Sequence, residues 1–195
     1  MRWLLFALGA FVTAPIVPAT LGDFELVGTV RAGGKPKSDA IVWLDVANGP
    51  GLGQPHQSKR IVLDQRTSKF YPHVLAVQAG TTVDLPNNDR VFHNVFSFHD
   101  GKKFDLGLYP VGTVRRVTFD QPGLSRIFCN IHPNMAAYVM AVETPYFSVS
   151  DEQGRFTIAS VLPGSYTYHA WRSGGPDLTG SAVFDAGKHL DIVWP

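Results

Sequence analysis

The sequence predicts an all-β protein, and three observations carry that expectation. Its apolar runs are short, and 19 glycines and 14 prolines fall largely between them. Several runs alternate apolar with polar residues, the period of a strand with one buried face. No segment sustains the 3.6-residue apolar period of a helix. Short strands with frequent turn signals point to β-sandwiches. At 195 residues the chain has room for one large domain or two small ones. Seventeen Lys and Arg against 16 Asp and Glu leave a net charge of +1, so the strongly basic face of a nucleic-acid binder is missing.

Taken in order, residues 1–19 read as a secretory signal peptide. Arg2 supplies the positive start, Trp3 to Val12 the apolar run, and Val17-Pro18-Ala19 an acceptable cleavage site. A membrane-spanning helix needs roughly 20 apolar residues; this stretch is shorter and is broken by Pro15 and Pro18. No later segment is long and apolar enough to span. The mature protein is therefore expected in the periplasm, with the extracellular space as the other compartment such a signal serves.

Phe24 to Val30 alternates weakly and reads as a strand, followed by a turn at Ala32-Gly33-Gly34-Lys35-Pro36. Ala40 to Leu44 is apolar at nearly every position, which predicts a strand buried on both faces. Asn48 to Ser58, rich in Gly, Pro and Gln, reads as a long loop. A new unit opens near Arg60. Its strands are expected at Ile61–Leu63, Val74–Val77, Thr81–Leu85, Phe92–Phe98, Val114–Phe119, Arg126–Cys129 and Ala137–Val142. Pro86-Asn87-Asn88-Asp89 stops the third, and residues 100–103 form a loop. The tail is again β, with strands at Tyr146–Ser150, Phe156–Ile158, Tyr166–Trp171, Ser181–Phe184 and Leu190–Trp194. In Phe92–Phe98, His93, Val95, Ser97 and His99 share one face; Phe92, Asn94, Phe96 and Phe98 share the other.

The chemistry concentrates in Phe128-Cys129-Asn130-Ile131-His132-Pro133-Asn134-Met135. Cys129 is the sole cysteine, so it forms no internal disulfide. In an oxidising compartment it must be buried or bound. A thiolate, an imidazole and a thioether in one turn suit copper. A second imidazole must come from elsewhere, and His93 is the best placed. Blue-copper sites take two His nitrogens and a Cys sulfur in a near-trigonal plane, with a weak axial Met. Pro133 fixes its own φ and removes one N–H donor beside the sulfur. Met135 speaks against zinc, which takes thioether poorly. A buried, inert Cys129 with unconnected surface His and Met is the plain alternative. His99 would lie about 20 Å from His93 along an extended strand, too far to share an ion. Structural or surface roles are expected for His56, His73, His169 and His189.

Residues 61–143 resemble the cupredoxins. The likeness rests on Phe70-Tyr71-Pro72, Ala79-Gly80-Thr81-Thr82-Val83, Asn87-Asn88-Asp89, His93-Asn94-Val95, Pro122-Gly123 and the Cys-x-x-His-x-x-Met loop. The short gap between His132 and Met135, with Pro133 between them, looks most like amicyanin. The whole chain is similar to bacterial plastocyanin-like chains of the "methylamine utilization protein" kind. The resemblance implies copper ligation by His93, Cys129, His132 and Met135. It also implies that Asn94 steadies the ligand loop by hydrogen bonding near Cys129. Electrons would then pass through an edge of His132, framed by Pro133, Asn134 and Ala136.

The flanking segments resemble a carboxypeptidase regulatory-like sandwich: Gly28-Thr29-Val30 and Ala40–Leu44 its first half, Asp151–Phe156 and Leu162–Tyr166 its second. The expected architecture is a Greek-key cupredoxin sandwich inserted into that second, smaller sandwich. Residues 20–59 and 144–195 form its two halves, 60–143 the insert, with one extended sandwich as the alternative. The expected function is single-electron transfer through one type 1 copper ion, with no catalytic residues. Its partners would be redox proteins such as a c-type cytochrome or a periplasmic dehydrogenase. Copper delivery or storage is the alternative, but only three methionines, the initiator included, disfavour an exchangeable site.

Overall fold

The computed structural model describes residues 22–47, 60–98 and 100–195. The signal-peptide reading, the loop at 48–58, His56 and His99 lie outside the described residues. All regular structure within them is β.

The middle of the chain forms two facing sheets. In the larger, strands run in the order β10 (Phe104–Tyr109), β9 (His93–Ser97), β12 (Gly123–Phe128), β13 (Ala136–Val142) and β7 (Val74–Gln78). The smaller has β11 (Val114–Phe119), β8 (Thr81–Pro86) and β4 (Ile61–Val62). Each sheet holds one parallel pair, β13 with β7 and β4 with β8. Inward residues of both sheets, among them Val83, Leu85, Val95, Phe119, Ile127 and Val139, fill one core with Leu63 and Phe70. A polar hairpin, β5 (Asp64–Arg66) and β6 (Lys69–Tyr71), closes one end.

The two ends of the chain pair with each other. β1 (Phe24–Ala32) lies between β15 (Arg155–Val161), antiparallel, and β18 (His189–Trp194), parallel; the short β2 (Lys35–Pro36) folds back on it. A second sheet runs β14 (Phe147–Val149), β3 (Ile41–Val46), β16 (Gly164–Trp171), β17 (Leu178–Phe184). Leu26, Val30, Val42, Leu44, Phe156, Ile158, Tyr166, Ile192 and Trp194 pack between these sheets.

β3 explains how the two halves of the structure meet. Val42 and Leu44 point into the core just described, whereas Ile41 belongs to a third cluster with Val74, Ala76, Met140, Val142 and Trp171. That cluster joins β3 and β16 to the outer face of β7 and β13. The nearly continuous apolar run thus has both faces covered, as its pattern requires.

The two-residue β2, read from the sequence as part of a turn, β10 and the β5–β6 hairpin escaped the sequence reading. β10 is broken by a bulge: one extra residue lies between Asp105 and Leu108 opposite Phe96 and Asn94, and Gly107 has φ 64°. The bulge shifts the alternation by one residue, so no two-residue period shows. The β5–β6 hairpin offers one buried apolar residue, Phe70, in its second strand. Its turn places two non-glycine residues, Thr67 and Ser68, at positive φ, a conformation that sequence signals assign to Asn and Gly.

Gly28 sits in β1 between both neighbouring strands. A Cβ there would overlap the Leu190 carbonyl oxygen and the Phe156 ring. Gly28→Ala should therefore force β15 or β18 away and lower stability by about 1–3 kcal/mol. Urea unfolding measures it; an unchanged midpoint would show that the sheet yields freely.

Candidate metal centre

The site grows out of the β12–β13 hairpin. Along β12, Ser125 and Ile127 face inward, and the two-residue period carries Cys129 into the same core at the strand's end. Phe128 pairs with Ala136, so Cys129 and Met135 begin and end the loop. The Cys129 amide donates to the Met135 carbonyl at 3.2 Å, and the Met135 amide to the His132 carbonyl at 2.9 Å. These bonds fold His132 back over the cysteine. His93 opens β9, the neighbouring strand, and faces inward with Val95 and Ser97.

Three donor atoms converge as a result. Cys129 Sγ lies 3.7 Å from His93 Nδ1 and 3.6 Å from His132 Nδ1, and the two nitrogens are 3.1 Å apart. Points at these separations lie on a circle of radius about 2.0 Å, close to the roughly 2.0–2.3 Å that imidazole nitrogen and thiolate sulfur keep from a first-row metal. From its centre the nitrogens subtend about 100°, and each nitrogen and the sulfur about 130°, a distorted trigonal plane of the kind blue-copper sites use. His93 and Cys129 are 0% and 4% exposed, while His132 is half-buried. Met135, 1% exposed, lies in the same core cluster as Cys129. Among the described residues no other group of three His, Cys, Asp or Glu side chains converges in this way.

Soft thiolate and thioether with two imidazoles fit copper better than they fit a hard, oxygen-seeking cation. The donor set also fits in number: three close donors and one buried thioether nearby. Pro133 lies exposed in the loop, flanked by exposed Asn134 and by Ile131.

Asn94 behaves differently from what the family resemblance implies. Strand alternation turns it to the face opposite His93. Its amide nitrogen donates to Asp105 Oδ1 at 2.7 Å, and its buried oxygen has no partner. Asp105 Oδ1 also accepts from the Gly107 amide, so Asn94 ties β9 to the bulge in β10 instead. His73, His169 and His189 stand apart from the centre. Each has its own carboxylate, Asp39, Asp45 and Asp191 respectively, and His169 also stacks on Trp43.

One residue at the site was missed by sequence reasoning. Asp89 Oδ2 accepts from His93 Nε2 at 3.0 Å, on the side of the ring away from the sulfur. Burial opposes ionisation of Asp89, but the Ser68 and Arg90 amides and His93 outweigh it, and its carboxyl is held down at about 2. The signal was present in Asn87-Asn88-Asp89, with Asp89 four residues ahead of His93, but these residues read as the stop after a strand and as part of the family likeness, with no role given to the carboxylate. Tyr109, paired with His93 across β10 and β9, has its phenol pushed up to about 12, chiefly by burial.

No family model matches the sequence, and no curated protein does. Solved structures are similar to part of the chain. One is a purple cupredoxin from Nitrosopumilus maritimus, 24% identical over 44% of this chain and 100% of its own, with a TM-score of 0.38. Another is a variant of amicyanin in its reduced Cu(I) form, 24% identical over 44% of this chain and 85% of its own, with a TM-score of 0.41. A third is a copper-containing nitrite reductase from Thermus scotoductus SA-01, 24% identical, with a TM-score of 0.42. That match spans 47% of this chain and only 24% of the nitrite reductase. Each of these likenesses covers about half of this chain.

The burial of Cys129 has a direct consequence in the metal-free protein. A bulky thiol reagent should react at least tenfold more slowly with the folded chain than with the chain in denaturant, where one thiol per chain reacts at once. Equal rates would show that the sulfur is open to solvent.

Proposed function

We propose that this chain is an exported type 1 copper protein that passes single electrons between redox proteins. The observation that carries the reading is the triangle formed by His93 Nδ1, Cys129 Sγ and His132 Nδ1, whose size suits one metal ion. Copper bound there supplies a one-electron Cu(II)/Cu(I) couple. The protein's part is to keep its donors still. His93 opens β9 and Cys129 directly follows the adjacent β12, and His132 is pinned by the hydrogen bonds that close its loop. Donors that hold their places in both oxidation states keep the reorganisation on electron transfer small.

Met135 is the proposed weak fourth ligand; in that role it would fill the position that an enzyme leaves open for substrate. The half-buried His132, beside exposed Ile131, Pro133 and Asn134, is the proposed place where electrons enter and leave. Residues 1–19 support export to the periplasm, and the partners proposed there are redox proteins such as a c-type cytochrome or a dehydrogenase. Residues 60–143 form the proposed copper domain. Residues 20–59 and 144–195 make the flanking unit, for which we propose a spacer or docking role.

The test is to add Cu(II) to the mature protein. One equivalent should produce an intense visible charge-transfer band and a narrow copper hyperfine splitting in EPR. Cys129→Ser should lose the band and keep the β-sheet circular dichroism. Copper that binds without colour, or colour that survives the substitution, would overturn the reading; colourless copper that leaves quickly for a chelator would indicate delivery instead.

Met135→Leu should retain copper and raise the reduction potential, because an axial sulfur donor favours Cu(II). An unchanged potential would remove Met135 from the ligand set.

A further inference from the structure

We propose that Asp89 is a positioning residue for this centre: it fixes His93 with Nδ1 facing Cys129 and favours the oxidised state of the bound ion. The inference rests on the copper reading above and adds to it a residue that sets the potential.

The geometry is specific. His93 is fully buried, so each ring nitrogen needs a partner or a ligand. Nε2 has the Asp89 carboxylate at 3.0 Å, and Nδ1 faces Cys129 Sγ and His132 Nδ1. A carboxylate accepts only, so the proton is assigned to Nε2 and the lone pair to Nδ1. The ring is thereby held in the tautomer a metal needs, and a charged partner makes Nδ1 a stronger electron-pair donor.

Asp89 is itself held from three sides. Its side chain is 11% exposed. Oδ2 accepts from the Ser68 amide at 2.6 Å as well as from His93, and Oδ1 accepts from the Arg90 amide at 2.8 Å. The Asp89 amide donates to Asn87 Oδ1, while Asn87 Nδ2 donates to the Val91 and Tyr109 carbonyls. The Ser68 amide comes from the β5–β6 turn, where Thr67 and Ser68 both take left-handed backbone angles. Two consecutive non-glycine residues in that region cost conformational energy, and one result is an amide aimed at a buried carboxylate. A negative charge fixed on the far side of a ligand ring stabilises the more positive metal state, so it should lower the reduction potential.

Asp89→Asn keeps an oxygen to accept from Nε2 but removes the charge. Loss of such an outer partner typically costs 10–100-fold in metal affinity. If Cu(II) is weakened tenfold more than Cu(I), the potential rises by 59 mV. We expect a rise of at least that size, an unchanged visible band type, and substantial recovery in Asp89→Glu. A copper-loaded Asp89→Asn protein with an unshifted potential would overturn the proposal.

Should Asp89→Asn fail to fold or to take up copper, nitrogen-15 NMR of the metal-free wild-type chain decides instead. Neutral His93 should carry its proton on Nε2; a proton on Nδ1 would overturn the proposal. A wild-type chain that binds no copper would sink the electron-transfer reading and leave the tautomer measurement standing, so the two failures are distinguishable.

Discussion

Two ring nitrogens and a sulfur, all electron-rich, are held within 3.7 Å of one another, with His93 and Cys129 buried and His132 half-buried. Without a proton or a cation among them, their lone pairs repel, and low local polarity leaves little water to soften the repulsion. Local structure alone would not hold them so. The sandwich does it by bringing them from two strands and a closed loop, each fixed by backbone pairing that has nothing to do with the site. Much of the central fold can be understood as the frame that keeps this unfavourable grouping together.

The frame is reinforced outward in layers. Asn94 locks β9 to the bulged β10 through Asp105, which stiffens the strand that carries His93. The β5–β6 hairpin reaches the same histidine through Asp89. On the opposite face of the larger sheet, Ile41 and Trp171 pack against Met140 and Val142, so the flanking strands brace β13, which leaves the ligand loop. The donor cluster is thus coupled by contiguous packing to both ends of the chain. Displacing the flanking sheets would act on the strand that leaves Met135.

The sequence made the parts with strong local signals legible. Cys129, His132 and Met135 were visible because one turn holds them in short order. His93 was visible because alternation in Phe92–Phe98 fixes which side chains face inward, and the structure does turn His93, Val95 and Ser97 to the core. The double-sided burial of β3 followed from its unbroken apolar run. What stayed hidden depends on backbone irregularity or on distant partners. β10 was lost because one bulged residue reverses its pattern. Asp89 was passed over because a carboxylate in an Asn-rich turn looks like solvent-facing punctuation, and only the β5–β6 turn, far from it in pattern, shows that it is enclosed. Asn94 was misdirected because family likeness supplied a partner that its own strand register turns away from.

The parallel pairing of β1 with β18 also bears on how the chain is made. Thr29 hydrogen-bonds Asp191 across 162 positions of sequence, so the first strand to emerge waits for almost the last. The central sheets pair only strands from one contiguous stretch, whereas β1 waits for partners more than a hundred residues later. Such long-range closure is slow, and the unpaired edges of β1 and β3 are sticky in the interval. The sheet built on β1 would therefore be sealed last, with its unsealed edges the species most in need of a chaperone.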